Sequence, residues 1–517
     1  MKYLIEALSH PKAYPHATGT IDVVETHISW IFLTEPFAYK IKKPLDLGFL
    51  DFSTIAKRRH YCYEELRLNQ RLCPEIYLSV VPVVQSGETI LVDAEGEIID
   101  YAVKMVQFDR TMELDRMLSQ KLLKEKHIDH LAIMIARFHI SQPPVPDESS
   151  FGHPDNVLKP MLHNFTTIEP IISGKIEIDQ LAQLKTVTVQ KHQQLYNLLL
   201  QRKNNGFIRQ CHGDMHTGNM VLWKKRIFIF DCIEFNESLS NIDVISDLAF
   251  LFMDLEHGGA PELAWRLLNN YLTETADYTA LPLLSFYALY RAMVRAKVTA
   301  IRYEQTADST KTKAILEEHR SYIDRALDYS LSKKPMLIIT FGVSGSGKTV
   351  VSGKIAQAMR CIHIRSDIER KRLAGLKSLE RNRDSNALYT ENFNLQTYRK
   401  LLDLATLCIH AELSVIVDAT FIKMSNRKMF LELAEELKIP FRILHFFAPD
   451  ELLMERVRNR SLIGNDASDA NTDVLAKQLE QQEKLTAEES SVALAINTEH
   501  KVDAAAVASL LQSAAAS

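Results

Sequence analysis

The run Gly342-Val343-Ser344-Gly345-Ser346-Gly347-Lys348-Thr349 spaces its glycines, lysine and threonine as phosphate chemistry requires. Glycines let backbone N–H groups curl around phosphate oxygens at a helix N-terminus. A lysine in this position reaches the β- and γ-phosphates, and the hydroxyl after it ligates Mg²⁺. The run lies between the apolar stretch Met336 to Phe341 and an amphipathic stretch beginning near Lys348, the strand–loop–helix setting of a P-loop. The protein has only 17 glycines and three of them fall here, so a chance flexible turn is a poor account. ATP with Mg²⁺ is the expected ligand. Asp418, closing the apolar run Ser414 to Val417, is placed to hold that Mg²⁺ directly or through water, with a helix N-cap as the competing account.

A second constellation lies far upstream. In His212-Gly213-Asp214-Met215-His216-Thr217-Gly218-Asn219, Asn219 follows Asp214 by five residues, and Asp231 follows the strand-like run Ile227 to Phe230. That is the spacing of a kinase catalytic loop and its metal-binding carboxylate.

Around the P-loop the sequence resembles the P-loop kinases related to zeta toxins, gluconate kinase and polynucleotide 5′-hydroxyl kinases, which share an Asp-x-x-Arg after the second strand. Here it reads Asp367-Ile368-Glu369-Arg370. The resemblance implies that Asp367 accepts the acceptor hydroxyl's proton while Arg370 orients the acceptor or a phosphate. An exposed, salt-bridged helix start is the alternative. Ala448-Pro449-Asp450 opens a helix with Arg456 and Arg460 on one face, which the resemblance reads as a lid stabilising the transferring phosphoryl group. Solvated arginines are the competing account. The segment Gly464 to Ala470 reads as the lid's flexible return. The domain lacks the Asn-Lys-x-Asp of GTPases and the Leu-Ser-Gly-Gly-Gln of transporter ATPases, which favours a kinase.

The upstream constellation resembles aminoglycoside and choline phosphotransferases, with their His-Gly-Asp-x-His-x-x-Asn motif. By that resemblance Asp214 is the catalytic base, Asn219 and Asp231 hold Mg²⁺, His212 braces the loop and Asp247 supports it. Lys40, in Phe37 to Lys42, matches the lysine that clamps the α- and β-phosphates, with Lys42 on the same strand face in reserve. Glu65, favoured slightly over Glu64, is the expected carboxylate partner, with an exposed charged helix face as the competing account. No glycine-rich phosphate loop precedes Lys40, and Asp231-Cys232-Ile233 stands where protein kinases have Asp-Phe-Gly, which argues against protein-kinase activity and leaves open whether this lobe turns over or only binds nucleotide.

The elements that must carry these residues follow from the pattern of the whole chain. At 517 residues, two or three domains are expected. Short strand-like runs (His27 to Leu33, Phe37 to Ile41, Ile76 to Val84, Tyr101 to Gln107) precede mostly helical segments from about Asp115, a sheet-rich lobe followed by a helical one. After a polar stretch from Lys311, apolar strands at Met336 to Phe341, Val415 to Val417, Ile443 to Phe447 and Val492 to Ile496 alternate with helices, as in a parallel sheet. The expected fold class is an α+β, protein-kinase-like bilobal domain over residues 1–331 followed by an α/β P-loop domain with a parallel sheet over 332–517. The pairing resembles bacterial proteins that fuse an aminoglycoside phosphotransferase-like domain to an ATP-binding kinase domain.

A net charge of -4 gives no general attraction to nucleic acid or anionic membrane, and no run reaches membrane-spanning length. Six cysteines without a C-x-x-C pair fit neither a zinc site nor a disulfide framework, and a cytoplasmic location is expected. The leading reading is a bifunctional ATP-dependent kinase acting on hydroxyls of small molecules. One alternative makes the first domain a nucleotide- or ligand-sensing module that regulates the P-loop enzyme. Another is a nucleic-acid 5′-hydroxyl kinase, prompted by the basic run Arg370, Lys371, Arg372, Lys377, Arg381 and Arg383, for which a solvated helix face is the preferred account.

Overall fold

The computed structural model describes residues 2–48, 50–377, 380, 390–463 and 470–516. The chain divides into two compact units, one of residues 1–258 with 290–320, the other of residues 259–289 with 321–517.

The first unit is built on an antiparallel sheet of β1 (Asp22–Glu25), β2 (Ser29–Leu33), β3 (Phe37–Lys42), β4 (Tyr77–Ser86), β5 (Thr89–Val92) and β6 (Glu97–Val106), in the order β1-β2-β3-β6-β4-β5. One face of β3 packs Tyr39 and Ile41 into a core with Trp30, Phe32 and Val83. The other face, by the two-residue period of a strand, carries Ala38, Lys40 and Lys42. Helix Ile55–Asn69, capped by the Thr54 hydroxyl, carries buried Glu65. Helical segments then follow, broken by β7 (Ile208–Gln210), β8 (Met220–Trp223), β9 (Arg226–Ile229) and β10 (Asn241–Asp243). β7 pairs with β10, and β8 with β9. The helix Val244–His257 is buried along almost its whole length.

The second unit holds a five-stranded parallel sheet, β11 (Leu337–Phe341), β12 (Ile362–Arg365), β13 (Val415–Asp418), β14 (Phe441–Phe447) and β15 (Ala493–Asn497), ordered β12-β13-β11-β14-β15. Every residue of β11 is buried, as expected of a central strand covered on both faces. The strand order reverses at β11, and ligands of open α/β sheets gather at the carboxyl end of such a switch point.

The compact units do not follow the expected boundary at 331/332: residues 259–289 and 321–331 belong to the second unit. The helix Pro261–Thr275 accounts for part of this. Its Asn269 amide donates to Cys361 O (3.1 Å) and accepts from His363 N (2.8 Å), satisfying the open edge of β12. Among the described residues no helix is long and apolar enough to cross a membrane.

Candidate functional sites

In the second unit the P-loop turns sharply out of β11. Gly342 has φ +147°, and a Cβ there would meet Phe446 O at 2.4 Å; Gly345 has φ +82°, with Leu453 O at 2.8 Å from such a Cβ. Side chains are therefore excluded at both positions. Val343 is pinned in an apolar cluster with Leu453, Val457 and Leu475. The Thr498 hydroxyl donates to Ser346 O at 2.9 Å, and Ser344 N donates to Gln478 Oε1 at 2.8 Å. Lys348, first residue of helix Lys348–Met359, is buried and donates to Val343 O at 2.7 Å. Burial pushes its ammonium down to about 8, against the attraction of Asp418 and Asp367.

A cavity of about 1290 Å³ opens over this loop, lined among others by Lys348, Thr349, Asp367, Arg370, Asp418 and Arg460. Single ligand sites usually fall between about 300 and 1,000 Å³, so this one has room for two reactants. The topology divides it into two flanks. Asp367 and Arg370 sit on helix Ser366–Leu373 after β12, on the β13 side of the loop. Arg456 and Arg460 sit on helix Asp450–Ile463 after β14, on the other side. Arg370 is buried and donates to Asn394 Oδ1 at 2.6 Å. Arg456 grips Thr498 through Oγ1 (3.0 Å) and the carbonyl (2.7 Å), while Arg460 donates to Ala470 O at 2.9 Å. Residues 464–469 of the expected lid return lie outside the described residues, as do Arg381 and Arg383 of the basic run. In that run Arg370 and Lys371 are buried, not on a solvated face, and Arg372 donates to Thr273 O at 2.8 Å.

Asp418 ends β13 with its carboxylate buried. Burial alone would raise its pKa, but His363, Lys348 and the Thr349 hydroxyl hold it below the usual carboxylate range. Its Oδ2 makes no hydrogen bond of good geometry, with His363 Nε2 at 3.4 Å. A buried, ionised carboxylate oxygen left open beside the Thr349 hydroxyl is a hard-oxygen set that fits Mg²⁺.

In the first unit, Lys40 Nζ lies 2.7 Å from Glu65 Oε1 and 2.5 Å from Asp231 Oδ1. Glu64 faces out and pairs with Arg67. Burial opposes the charge on Glu65, yet Lys40 and Lys42 outweigh it and lower the carboxyl to about 2. Both oxygens of buried Asp247 accept backbone N–H groups, from His212 and Gly213, each at 2.9 Å, and His139 Nε2 stands 3.2 Å away. His212 Nε2 is 2.9 Å from Phe230 O. These bonds fix the loop that presents Asp214, whose Oδ2 receives the Asn219 amide at 3.1 Å. Burial pushes Asp214 up, but neighbouring His216, with His212 and Arg291, holds it well below the usual range, so it is ionised at neutral pH. Phe230 N donates to Asn219 O at 2.9 Å, which sets Asp231 beside Asn219; Asp231 adopts the left-handed conformation at φ +67°. Two oxygen-bearing side chains at one hairpin end, one of them a carboxylate 43 % exposed, also fit a hard cation.

Several supports were not foreseen. Asp254 takes the Thr217 N–H (2.8 Å) and hydroxyl (2.5 Å), and Arg291 donates to Gly213 O at 2.9 Å. Glu234 pairs with Lys42. In the second unit, Gln478 and His363 were likewise missed. The one available signal was Lys42, two residues from Lys40 and therefore on its face.

Residues 337–485 match the family model of the AAA domain. Uncharacterized proteins of Mycobacterium tuberculosis and Mycobacterium bovis are 27% identical over 454 residues, covering 87% of this chain and 88% of their own length. Among solved structures, the chain is similar to a gluconokinase from Sinorhizobium meliloti 1021 (21% identity, 36% of this chain and 91% of that one, TM-score 0.25). It is also similar to a choline/ethanolamine kinase family protein from Mesorhizobium loti (11% identity, 63% and 99% covered, TM-score 0.38). The stretch that matches the AAA domain model thus contains the P-loop and most of the parallel sheet of the second unit, while the first unit is built separately on its antiparallel sheet.

Proposed function

We propose that this protein is an ATP-dependent phosphotransferase that moves the γ-phosphoryl group to a hydroxyl of a small molecule, with a nucleotide site in each unit. The observation that carries the reading is the shared cavity, in which phosphate-binding Lys348 and Thr349 face the same space as Asp367 and Arg370. Asp367 takes the acceptor's hydroxyl proton, Arg370 orients the acceptor, and Arg456 and Arg460 lie on the opposite flank near the phosphates. Mg²⁺, held by Thr349 and Asp418, would neutralise charge on the phosphates. In the first unit Lys40 meets the α- and β-phosphates, Asp214 is the base, and Asn219 and Asp231 would hold the metal.

A second reading keeps the first unit as a regulatory nucleotide module. It is favoured by the β1–β2 turn, Thr26-His27-Ile28, which has no glycine where a phosphate-covering loop would need one.

The experiment is ADP release by the full-length protein with Mg²⁺ across hydroxyl-bearing metabolites, aminoglycosides and 5′-hydroxyl oligonucleotides, beside Lys348→Ala and Asp231→Ala. Acceptor-dependent release is expected, and each variant assigns its unit. Release indifferent to every acceptor favours the regulatory reading, and oligonucleotide dependence alone would mean an end-phosphorylating kinase.

A further inference from the structure

Lys40 and Lys42 leave the same face of β3, and Glu65 meets one with each of its oxygens, Oε1 at 2.7 Å from Lys40 and Oε2 at 2.6 Å from Lys42. Lys42 also pairs with Glu234, three residues past Asp231. The Lys42 and Glu65 side chains are 0 % exposed, and Glu234 is nearly as buried. Lys42 therefore has no access to a ligand, whereas Lys40 touches Asp231, which is open to solvent. A carboxylate gripped by Lys40 alone would be free to turn whenever Lys40 moved toward a phosphate. Here it is gripped from the far side by a lysine that is itself anchored. The segment carrying Glu234 is tied to the same helix: Cys232 N donates to Asn69 Oδ1 at 3.0 Å, and the Asn69 amide returns to Glu65 O at 2.8 Å.

We propose that Lys42 and Glu234 are positioning residues that lock Glu65 in place, so that the Lys40–Glu65 pair of the kinase-like cleft stands assembled before nucleotide arrives. The inference rests on the reading of this cleft as a nucleotide site. It makes the cleft a pre-set one, in which nucleotide displaces Lys40 from Asp231 without any movement of the Glu65 helix. In kinases whose lysine–glutamate pair must form on activation, that pair is a point of control; here the strut removes it.

The test is Mg²⁺·ATP affinity, by titration calorimetry, of full-length protein carrying Lys348→Ala so that only this cleft is read. Lys40→Met should abolish binding. Lys42→Met should weaken it about tenfold or more and Glu234→Gln less, while Lys42→Arg keeps the parent affinity within about threefold. A merely structural role would lower the melting temperature and leave the affinity of the folded protein alone. Should Lys42→Met fail to fold, the isosteric Glu234→Gln decides. Unchanged affinity in a folded Lys42→Met or Glu234→Gln protein, with binding lost in Lys40→Met, overturns the strut. Unchanged affinity in Lys40→Met as well overturns the nucleotide reading of the cleft itself.

Discussion

At the Lys40 site of the first unit both lysines are matched by carboxylates, Lys40 by Glu65 and Asp231, Lys42 by Glu65 and Glu234. In the P-loop cavity Lys348 bonds a carbonyl oxygen, and the arginines Arg456 and Arg460 bond carbonyl and hydroxyl oxygens. The electrostatic consequences run in opposite directions. Salt bridging holds Lys40 well above its ordinary range despite burial, whereas burial draws Lys348 down to about 8. One site has settled its charges internally and, on the proposed reading, must break an ion pair to admit phosphate. The other holds one desolvated lysine and two partly buried arginines that, on the same reading, would gain a counter-charge from phosphate.

The largest expected effect separates chemistry from binding in the P-loop cavity. Asp367→Asn should slow phosphoryl transfer by about 10²–10⁴-fold with little change in ATP affinity, the behaviour of a lost general base. Equal loss of affinity would make Asp367 a binding residue instead. Next, Glu65→Gln takes one of its two carboxylate partners from each of two buried lysines and should destabilise the first unit by about 3–5 kcal/mol, read by denaturant titration. Because the folded Glu65 carboxyl lies at about 2, below its ordinary 4.5, its contribution is full above pH 4.5 and is lost as pH falls toward 2. Acid unfolding of the parent across that window should therefore be blunted in Glu65→Gln.

Lys348→Ala should weaken nucleotide binding to the second unit about 100-fold, leaving the first unit's affinity unchanged. The smallest effect is also the sharpest contrast. Phosphate selects the ammonium form of Lys348, so above pH 8 the free site must first take up a proton, and affinity should fall by up to about tenfold per pH unit. The Lys40 site of the first unit, whose lysine titrates much higher, should show no such fall between pH 8 and 9.5. Parallel pH profiles at the two sites would dissolve the comparison.

Much of this was legible in the chain because phosphate chemistry concentrates its residues locally. Gly342 to Thr349 form one loop, and Asp214 to Asn219 another, so spacing alone identifies them. Strand runs such as Met336 to Phe341 read clearly because buried parallel strands are continuously apolar. What could not be read is pairing over distance. Glu234 lies 192 residues from Lys42, and Asp254 lies 37 from Thr217, with no periodicity linking either pair. Residues 259–289 read as part of the first domain because they precede the apolar switch at Met336. Their place in the second unit depends on side chains such as Asn269, whose role as an edge partner has no sequence signature.

The most direct test of the two-site account is the stoichiometry of Mg²⁺·ATP binding to the full-length protein at pH 7. The account predicts two nucleotides per chain, falling to one in Lys348→Ala and to one in Lys40→Met. A single nucleotide in the parent, lost entirely in one variant and untouched in the other, would contradict it.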